Sequence, residues 1–384
     1  MDNFIFQNPV KILFGRGQTS LISNEIPKNS KVLLTCGGGS IRKNGVYDEV
    51  VSAMKGIDLI EFWGIEPNPV YETLMKAVEM ARAENVDYLL AVGGGSVVDG
   101  TKFISVAIPY KGDPWEIIQK KGEPAVAIPF GCVLTLPATG SEMNRGAVIS
   151  RRETKEKLAF HNDFAFPKFS VLDPIHTFSL PPKQVANGIV DTFVHVTEQY
   201  LTFPVDAAIQ DRFSESILCA LIEEGPKTLA NLTDYNSRAN LVWSATMGLN
   251  GLIGCGVPQD WVTHQIGHEL TAYFGLDHAQ TLAVILPNLL WVQRDSKRGK
   301  LIQYARRVWN IPQENEDKMI ETAIANTKSF FESLGLATHL SKLGAGEDIS
   351  EIIVNRFQAR KLLPMGESKN LTAERIREIL KLSI

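Results

Sequence analysis

The sequence has little cysteine, no long apolar run and no block of like charges. Its 384 residues include only four cysteines, and no two of them have the CxxC spacing of a zinc finger or a redox motif. Scattered cysteines argue against a disulfide framework and favour a reducing compartment, so we expect a cytoplasmic protein. The first residues lack a basic region followed by an apolar run, so no secretory signal peptide is predicted.

The net charge and the hydropathy of the chain argue against nucleic acids and membranes as binding partners. The formal net charge is -4 at pH 7, which disfavours a nucleic-acid or anionic-membrane surface. The longest apolar stretch, TLAVILPNLLW at residues 281–291, contains Pro287 and is too short to span a bilayer. The length and the 44% of hydrophobic residues are those of a globular enzyme of about two domains, so we expect a small-molecule partner.

The first part of the chain alternates short apolar runs with helical patterns. Strand-like runs end in glycines or prolines, and helical spacing follows them, which is typical of a parallel sheet flanked by helices. The predicted strands are KVLLTC (31–36) and residues 58–65, 87–96, 125–130 and 132–137, and the predicted helices are 44–56, 70–86 and 97–108. We therefore predict a Rossmann-like α/β domain that binds a dinucleotide over residues 1–180.

Beyond residue 180 the apolar residues recur at helical period, and strand signals almost vanish. Pro181 and Pro182 mark the change. Residues 181–384 are predicted to form an all-helical domain, which ends in a short helix with Thr372 as its N-cap.

Two glycine turns, GGGS at 37–40 and again at 93–96, each follow a strand and precede a helix. Neither is a full GxGxxG or P-loop motif, and tight turns that need a positive φ would explain either one alone. Two copies at the carboxyl ends of parallel strands favour a dinucleotide, because ligands gather at that edge of such sheets. A hydroxyl turn, TLPATGSE at 135–142, follows another strand and offers further donors.

Two metal windows, residues 188–200 and 261–280, hold four of the seven histidines. Asp191 and His195 are four residues apart on a predicted helix, and His264 and His268 repeat that spacing ahead of His278. Asp191 and His195 alone would suit a buried hydrogen-bonded pair. Together the windows indicate a site for one divalent metal, which satisfies several buried polar groups at once.

The second window does not encode a metallopeptidase. A zincin HExxH helix needs Glu after its first histidine, where this chain has Gln265. The inverted motif needs Glu before the second histidine, where this chain has Gly267.

Four segments resemble the iron-dependent, or group III, alcohol dehydrogenase family over essentially the whole chain. They are GGGSVVDGTK (93–102), TLPATGSEMN (135–144), the Asp191/His195 helix and HQIGHELTAYFGLDHAQ (264–280). CGGGSIRKNG and VPQDWVTHQIGHELTA resemble the NADPH-dependent butanol dehydrogenases and broad-specificity aldehyde reductases within it. The resemblance implies the dehydroquinate synthase-like fold, a Rossmann-like α/β domain followed by an all-α domain, and a homodimer.

The resemblance also implies roles for individual residues. The metal ligands would be Asp191, His195, His264 and His278, while His268 would be a catalytic residue close to them. Either His268 or a cofactor ribose hydroxyl would pass the proton to solvent, and His268 could instead serve only as a hydrogen-bond donor beside the ligands. Asp99 would be a catalytic residue near the nicotinamide end of the cofactor. The remaining cofactor-binding residues would be Gly37, Gly38, Gly39, Ser40, Gly94, Gly95, Ser96, Thr135, Thr139, Ser141 and Lys157.

The implied reaction is hydride transfer between NADP(H) and a primary alcohol or aldehyde, with Fe²⁺ or Zn²⁺ as the Lewis acid. NADP is favoured over NAD because the first glycine turn has no carboxylate to bind a ribose 2′-hydroxyl. Trp261, Phe160 and Asn144 are candidates to line the substrate pocket. Three alternatives stay open: an NAD-dependent polyol dehydrogenase such as a glycerol or propanediol enzyme, a dehydroquinate synthase-like lyase, and a non-catalytic nucleotide-binding module.

Overall fold

The computed structural model describes residues 1–313, 315–344 and 348–384. The strands are β1 (Lys11–Phe14), β2 (Lys31–Cys36), β3 (Asp58–Phe62), β4 (Tyr88–Gly94), β5 (Phe130–Leu136), β6 (Gly146–Arg151), β7 (Glu156–His161) and β8 (Phe169–Leu172). The first helices are α1 (Ile22–Glu25), α2 (Ser40–Lys43), α3 (Val46–Ala53), α4 (Tyr71–Ala83), α5 (Gly95–Ala107) and α6 (Trp115–Ile118). The later helices are α7 (Pro182–Tyr200), α8 (Ala208–Ala230), α9 (Tyr235–Gly248), α10 (Val262–Phe274), α11 (His278–Val292), α12 (Arg298–Arg307), α13 (Glu316–Ser333), α14 (Ile349–Ala359) and α15 (Ala373–Leu382).

Six strands form one sheet in the order β1-β8-β5-β4-β2-β3, and every pair in it is parallel. Strands β2, β4 and β5 are buried along most of their length, which explains why the sequence shows continuous apolar runs there. Their carboxyl ends meet at the same edge of the sheet. Both glycine turns and the hydroxyl turn follow these strands, so the fold places all three along that edge.

The strand prediction was wrong at one place and incomplete at others. Only one strand, β5 (Phe130–Leu136), forms where two were predicted at 125–130 and 132–137, and it begins just after Pro129. Proline cannot donate to a strand ladder, so it marks the start of the strand. The antiparallel hairpin β6–β7 was not predicted, although β7 carries Lys157.

The chain forms two compact units. One consists of residues 7–181 and 231–250, and the other of residues 1–6, 182–230 and 251–384. The predicted division into 1–180 and 181–384 did not foresee that α9 belongs with the sheet. Within that unit the Thr246 hydroxyl of α9 donates to the buried Glu142 carboxylate at 2.6 Å, and the Arg16 guanidinium lies 4.3 Å from the Tyr235 ring centroid.

In the second unit, helix α7 is buried from Gly188 to Tyr200. Its Phe193 ring packs against α13, with centroids 5.6 Å from Phe330 and 5.4 Å from Phe331. That packing orients the helix and turns its polar residues toward α10 and α11. Among the described residues, no helix is long and apolar enough to cross a membrane.

Candidate functional site

Helix α7 presents three polar side chains on one face. Asp191, His195 and Glu198 are spaced by four and then three residues, so they follow one another along the same side of the helix. All three are buried. Three buried ionisable groups on one face of a helix must be satisfied by partners outside it.

Helices α10 and α11 bring the remaining histidines to that face. Gly275 ends α10 in the left-handed conformation, with φ 72°, and α11 begins at His278. Gly267 allows the close approach of the two helices, because a Cβ there would lie 2.8 Å from the Thr281 hydroxyl oxygen of α11. Helix packing therefore requires Gly267, the position at which the inverted zincin motif would have Glu.

Three imidazoles converge on one carboxylate oxygen. The Nε2 atoms of His264, His278 and His195 lie 3.5, 3.7 and 3.8 Å from Asp191 Oδ1. Ligand atoms about 2.1 Å from a tetrahedral ion are about 3.4 Å apart, so this spacing fits one divalent metal. The ligand atoms of Asp191, His195 and His264 lie within 4.8 Å of one another, a donor set that suits Zn²⁺ or Fe²⁺, while His278 approaches this group through Asp191.

Glu198 orients His264 and was missed by the sequence analysis. Its carboxylate accepts the Nδ1 proton of His264, which leaves Nε2 as the lone-pair donor, and it accepts the Thr263 amide proton at 2.6 Å. Burial alone lowers the pKa of His264, but the charge of Glu198 and hydrogen bonds to Asp191 and Glu198 raise that pKa to about 9. The carboxylates therefore favour positive charge at this point. The spacing of Glu198 from Asp191 and His195 was the signal that could have identified it.

His268 lies beside the metal centre and is half-buried. Its ring centroid is 5.2 Å from that of His278 and 6.1 Å from that of His264. The Trp261 ring packs edge-on against His264 and His195, at 5.5 and 6.1 Å between centroids. His268 and Trp261 are thus neighbours of the ligands.

The two glycine turns need glycine for different reasons, one for backbone conformation and the other for space. Gly39 has φ 98°, a left-handed conformation that favours glycine, and it precedes the Ser40 of α2. Gly95 begins α5, and a Cβ there would overlap the Thr139 side chain of the hydroxyl turn. The first turn of α5 follows Gly94, and the backbone N–H groups of a first helical turn have no partners within the helix, which suits an anion.

A chain of hydrogen bonds links Lys157 to the second glycine turn. Its ammonium donates to Asn68 Oδ1 at 2.8 Å, and the Asn68 backbone N–H donates to Ser96 Oγ at 3.3 Å. Asn68 was missed by the sequence analysis. Its signal was an Asn-Pro pair shortly after strand β3, at the carboxyl edge of the sheet.

Asp99 holds the hydroxyl turn in place. Its carboxylate accepts the Ser141 hydroxyl proton at 2.5 Å and the Val148 amide proton at 2.9 Å. Burial raises the pKa of Asp99, and the nearby Lys102 ammonium opposes that shift. Asp99 is therefore a positioning residue for this turn, and its place near a nicotinamide stays a prediction.

The side chains of two of the three pocket candidates are held by contacts with other parts of the protein. The Asn144 amide donates to the carbonyls of Gly140 and Leu249, and its oxygen accepts from Lys102 and Gly146. Phe160 is buried, with its ring 6.5 Å from that of Phe103. Among the described residues proposed for the pocket, Trp261 is the one that lies beside the metal ligands.

The chain matches two family models, one for each segment. "Iron-containing alcohol dehydrogenase" matches residues 9–174, and "Fe-containing alcohol dehydrogenase family, C-terminal" matches residues 185–384. The protein therefore belongs to the iron-containing alcohol dehydrogenase family. This confirms the predicted family and the predicted fold class, and it places the chain among oxidoreductases of alcohols and aldehydes.

Individual relatives extend that match to full length. The chain is 56% identical over 382 residues to "NADPH-dependent aldehyde reductase YqhD" of Escherichia coli, covering 99% of both chains. It is 38% identical to "NADH-dependent butanol dehydrogenase A" of Clostridium acetobutylicum, covering 100% of both. The substrate- and cofactor-free structure of YqhD superposes with a TM-score of 0.94 at 53% identity over 100% of both chains. The butanol dehydrogenase A structure from Thermotoga maritima has a TM-score of 0.96 at 36% identity, covering 100% of this chain and 99% of that one.

Proposed function

We propose that this protein transfers hydride reversibly between NADP(H) and primary alcohols or aldehydes, with aldehyde reduction as its main activity. The observation that carries the proposal is the convergence of three imidazole Nε2 atoms on Asp191 Oδ1 within 3.5 to 3.8 Å. Asp191, His195, His264 and His278 would hold Fe²⁺ or Zn²⁺. A metal in that shell supplies a Lewis acid for the substrate oxygen.

The protein's own residues prepare the site for that chemistry. Asp191 contributes one negative charge to the shell, so a divalent ion keeps a net positive charge there. Glu198 fixes the ring of His264 through Nδ1. His268 would carry a proton between the substrate oxygen and solvent, since it is half-buried beside His278.

The glycine turns and the start of α5 would bind the cofactor, whose nicotinamide supplies the hydride. No carboxylate lies in residues 37–40 to repel a 2′-phosphate. The nearby Arg42 guanidinium is paired with Glu61 at 3.3 Å, so it counts neither for nor against a 2′-phosphate. The turn without a carboxylate, with the YqhD relative named as NADPH-dependent, supports NADPH over NADH.

The test is NADPH oxidation against a panel of short aldehydes, with elemental analysis of the same sample. We expect about one divalent metal per chain and turnover that is lost on chelation and restored by Fe²⁺ or Zn²⁺. His264→Ala and Asp191→Ala should lose both metal and activity while keeping the fold by circular dichroism. Normal turnover after complete metal removal would refute the proposal.

The same assays separate the alternatives. A higher kcat/KM with NADH would favour a butanol or polyol dehydrogenase, because other relatives are named as NADH-dependent. A dehydroquinate synthase-like lyase must grip a phosphorylated substrate, and the two metal windows contain no Lys or Arg. A metal-free protein that binds nucleotide without turnover would be a non-catalytic module.

We further propose that the protein is a homodimer. It would lie in the cytoplasm and bind neither nucleic acid nor membranes. The support for a dimer is that strand β1 is an edge of the sheet, and beside it the partly exposed rings of Phe14 and Trp243 pack against each other at 5.8 Å. Light scattering during gel filtration would measure the assembly, and a monomer would contradict it. Cell fractionation would measure the location.

A further inference from the structure

We propose that a buried ion cluster of Lys297, Asp260 and Glu367 positions the metal centre. The cluster holds the turn before α10, so that the Trp261 ring stays against His195 and His264. This inference rests on the metal centre proposed above.

The cluster is buried, and each hydrogen of its ammonium has an acceptor. The Lys297 ammonium donates to Asp260 Oδ2 at 2.8 Å, to Glu367 Oε1 at 2.6 Å and to the Leu201 carbonyl at 2.7 Å. The three side chains are only 2 to 5% exposed. Three donors meet three acceptors, so loss of the ammonium would leave buried carboxyl groups without their cation.

The Lys297 ammonium therefore binds residues that adjoin both metal windows, one after the first window and one before the second. Leu201 directly follows α7, which carries Asp191, His195 and Glu198. Asp260 precedes α10, which carries His264. The Asp260 amide also donates to the Glu198 carbonyl at 3.0 Å, and its Oδ1 accepts the Val262 amide proton at 3.0 Å.

The turn that the cluster holds is a strained one. Trp261 has φ 63°, a left-handed conformation that bulky residues rarely adopt, at the N-cap of α10. Such a backbone persists only where its surroundings determine it. Asp260 is fixed through its amide and both carboxylate oxygens, and the Trp261 indole N–H donates to Gln259 at 2.8 Å.

The experiment compares Lys297→Met with Lys300→Met in the full-length protein. Lys300 is a matched control, since it lies on α12 close to Lys297 and is similarly buried. It pairs with Asp211 rather than with the turn before α10. The Kd for Zn²⁺ is measured by chelator competition, and the ligand-field absorption of the Co²⁺-loaded protein reports the coordination geometry.

We expect Lys297→Met to raise the Kd for Zn²⁺ about tenfold and to shift the Co²⁺ bands, whereas Lys300→Met changes neither. Because the cluster acts through Trp261, the Trp261→Ala and Lys297→Met effects on Kd should be non-additive in the double variant. If Lys297→Met does not fold, Asp260→Asn weakens the same pair and should raise the Kd in the same direction.

Three results would overturn the inference: unchanged Zn²⁺ affinity in folded Lys297→Met or Asp260→Asn, an equal loss in Lys300→Met, or additive effects with Trp261→Ala. A wild-type protein that binds no Zn²⁺ or Fe²⁺ would instead overturn the metal centre itself. Metal affinity in the wild type therefore distinguishes the two failures.

Discussion

Glu198 and His264 are joined across two helices, since the carboxylate on α7 accepts the Nδ1 proton of the imidazole on α10. The same carboxylate accepts the Thr263 amide proton at 2.6 Å, so Glu198 fixes both the ring and the first turn of α10. The orientation of one proposed metal ligand therefore depends on a residue outside the proposed ligand set.

Replacing Glu198 should weaken metal binding without removing the ligands. We expect Glu198→Ala to raise the Kd for Zn²⁺ roughly 10- to 100-fold, because His264 loses the acceptor that sets its tautomer. Glu198→Gln keeps an acceptor for Nδ1 and should have a smaller effect. Chelator competition measures both, and equal affinity in wild type and Glu198→Ala would contradict the role.

Gly267→Ala should separate α10 from α11. The added Cβ would lie 2.8 Å from Thr281 Oγ1 and 2.9 Å from Leu282 Cδ2, so we expect a loss of about 1–3 kcal/mol in the free energy of unfolding. Gly299→Ala on α12 is the control, since its Cβ meets nothing within 4 Å, and it should stabilise by roughly 0.5–1 kcal/mol. Urea unfolding measures both. Equal stability of the two variants would show that the close approach is unimportant.

Stability should fall as pH rises from about 4.5 to 7. Burial and the hydrogen bond to Asp260 raise the pKa of Glu367 to about 7, while Lys297 opposes that shift. The folded state then holds a proton that the unfolded state has released, so the free energy of unfolding decreases by up to about 1.4 kcal/mol per pH unit. The pKa of Asp260 is lowered, so its own contribution changes only below this window.

Glu367→Gln tests the assignment of that proton. Its free energy of unfolding, measured by urea titration from pH 4.5 to 8, should depend less steeply on pH than that of the wild type. Parallel pH profiles for the two proteins would show that Glu367 does not take up the proton.

Gly38→Asp should shift the preference from NADPH toward NADH. Gly38 has no neighbour within 4 Å of a Cβ, so the site accepts the side chain without a steric clash. A carboxylate there would repel a 2′-phosphate, and we expect roughly a tenfold fall in kcat/KM for NADPH relative to NADH. Gly38→Ala is the uncharged control and should keep the wild-type ratio. A similar shift in both variants would rule out a charge effect.

Local patterns predicted much of the fold. The sequence interval of β2, 31–36, matches the structure because a parallel strand buried on both faces needs a continuous apolar run. The hairpin β6–β7 lacks such a run, since it pairs outside the main sheet and stays partly exposed. The sequence places helix α9 among the helices beyond residue 180, and only packing assigns it to the unit that contains the sheet.

Residue type and spacing alone indicate the candidate ligands, because few side chains other than histidine and carboxylates suit a divalent metal. Glu198 and Asn68 carried only weak signals of spacing and context, and Lys297 carried none. Each acts through partners that are distant along the chain, as with Lys297 and Glu367, which are 70 residues apart.

The sequence by itself determined the family, the change from an α/β part to a helical part, and the two windows that supply the proposed ligands. These properties follow from local spacing and apolar periodicity. The tertiary structure decided which atoms meet: three imidazoles near Asp191, Glu198 with His264, and Lys297 with Asp260 and Glu367. Burial makes those contacts necessary, because a polar or charged group removed from water must find its partner wherever the fold has placed one.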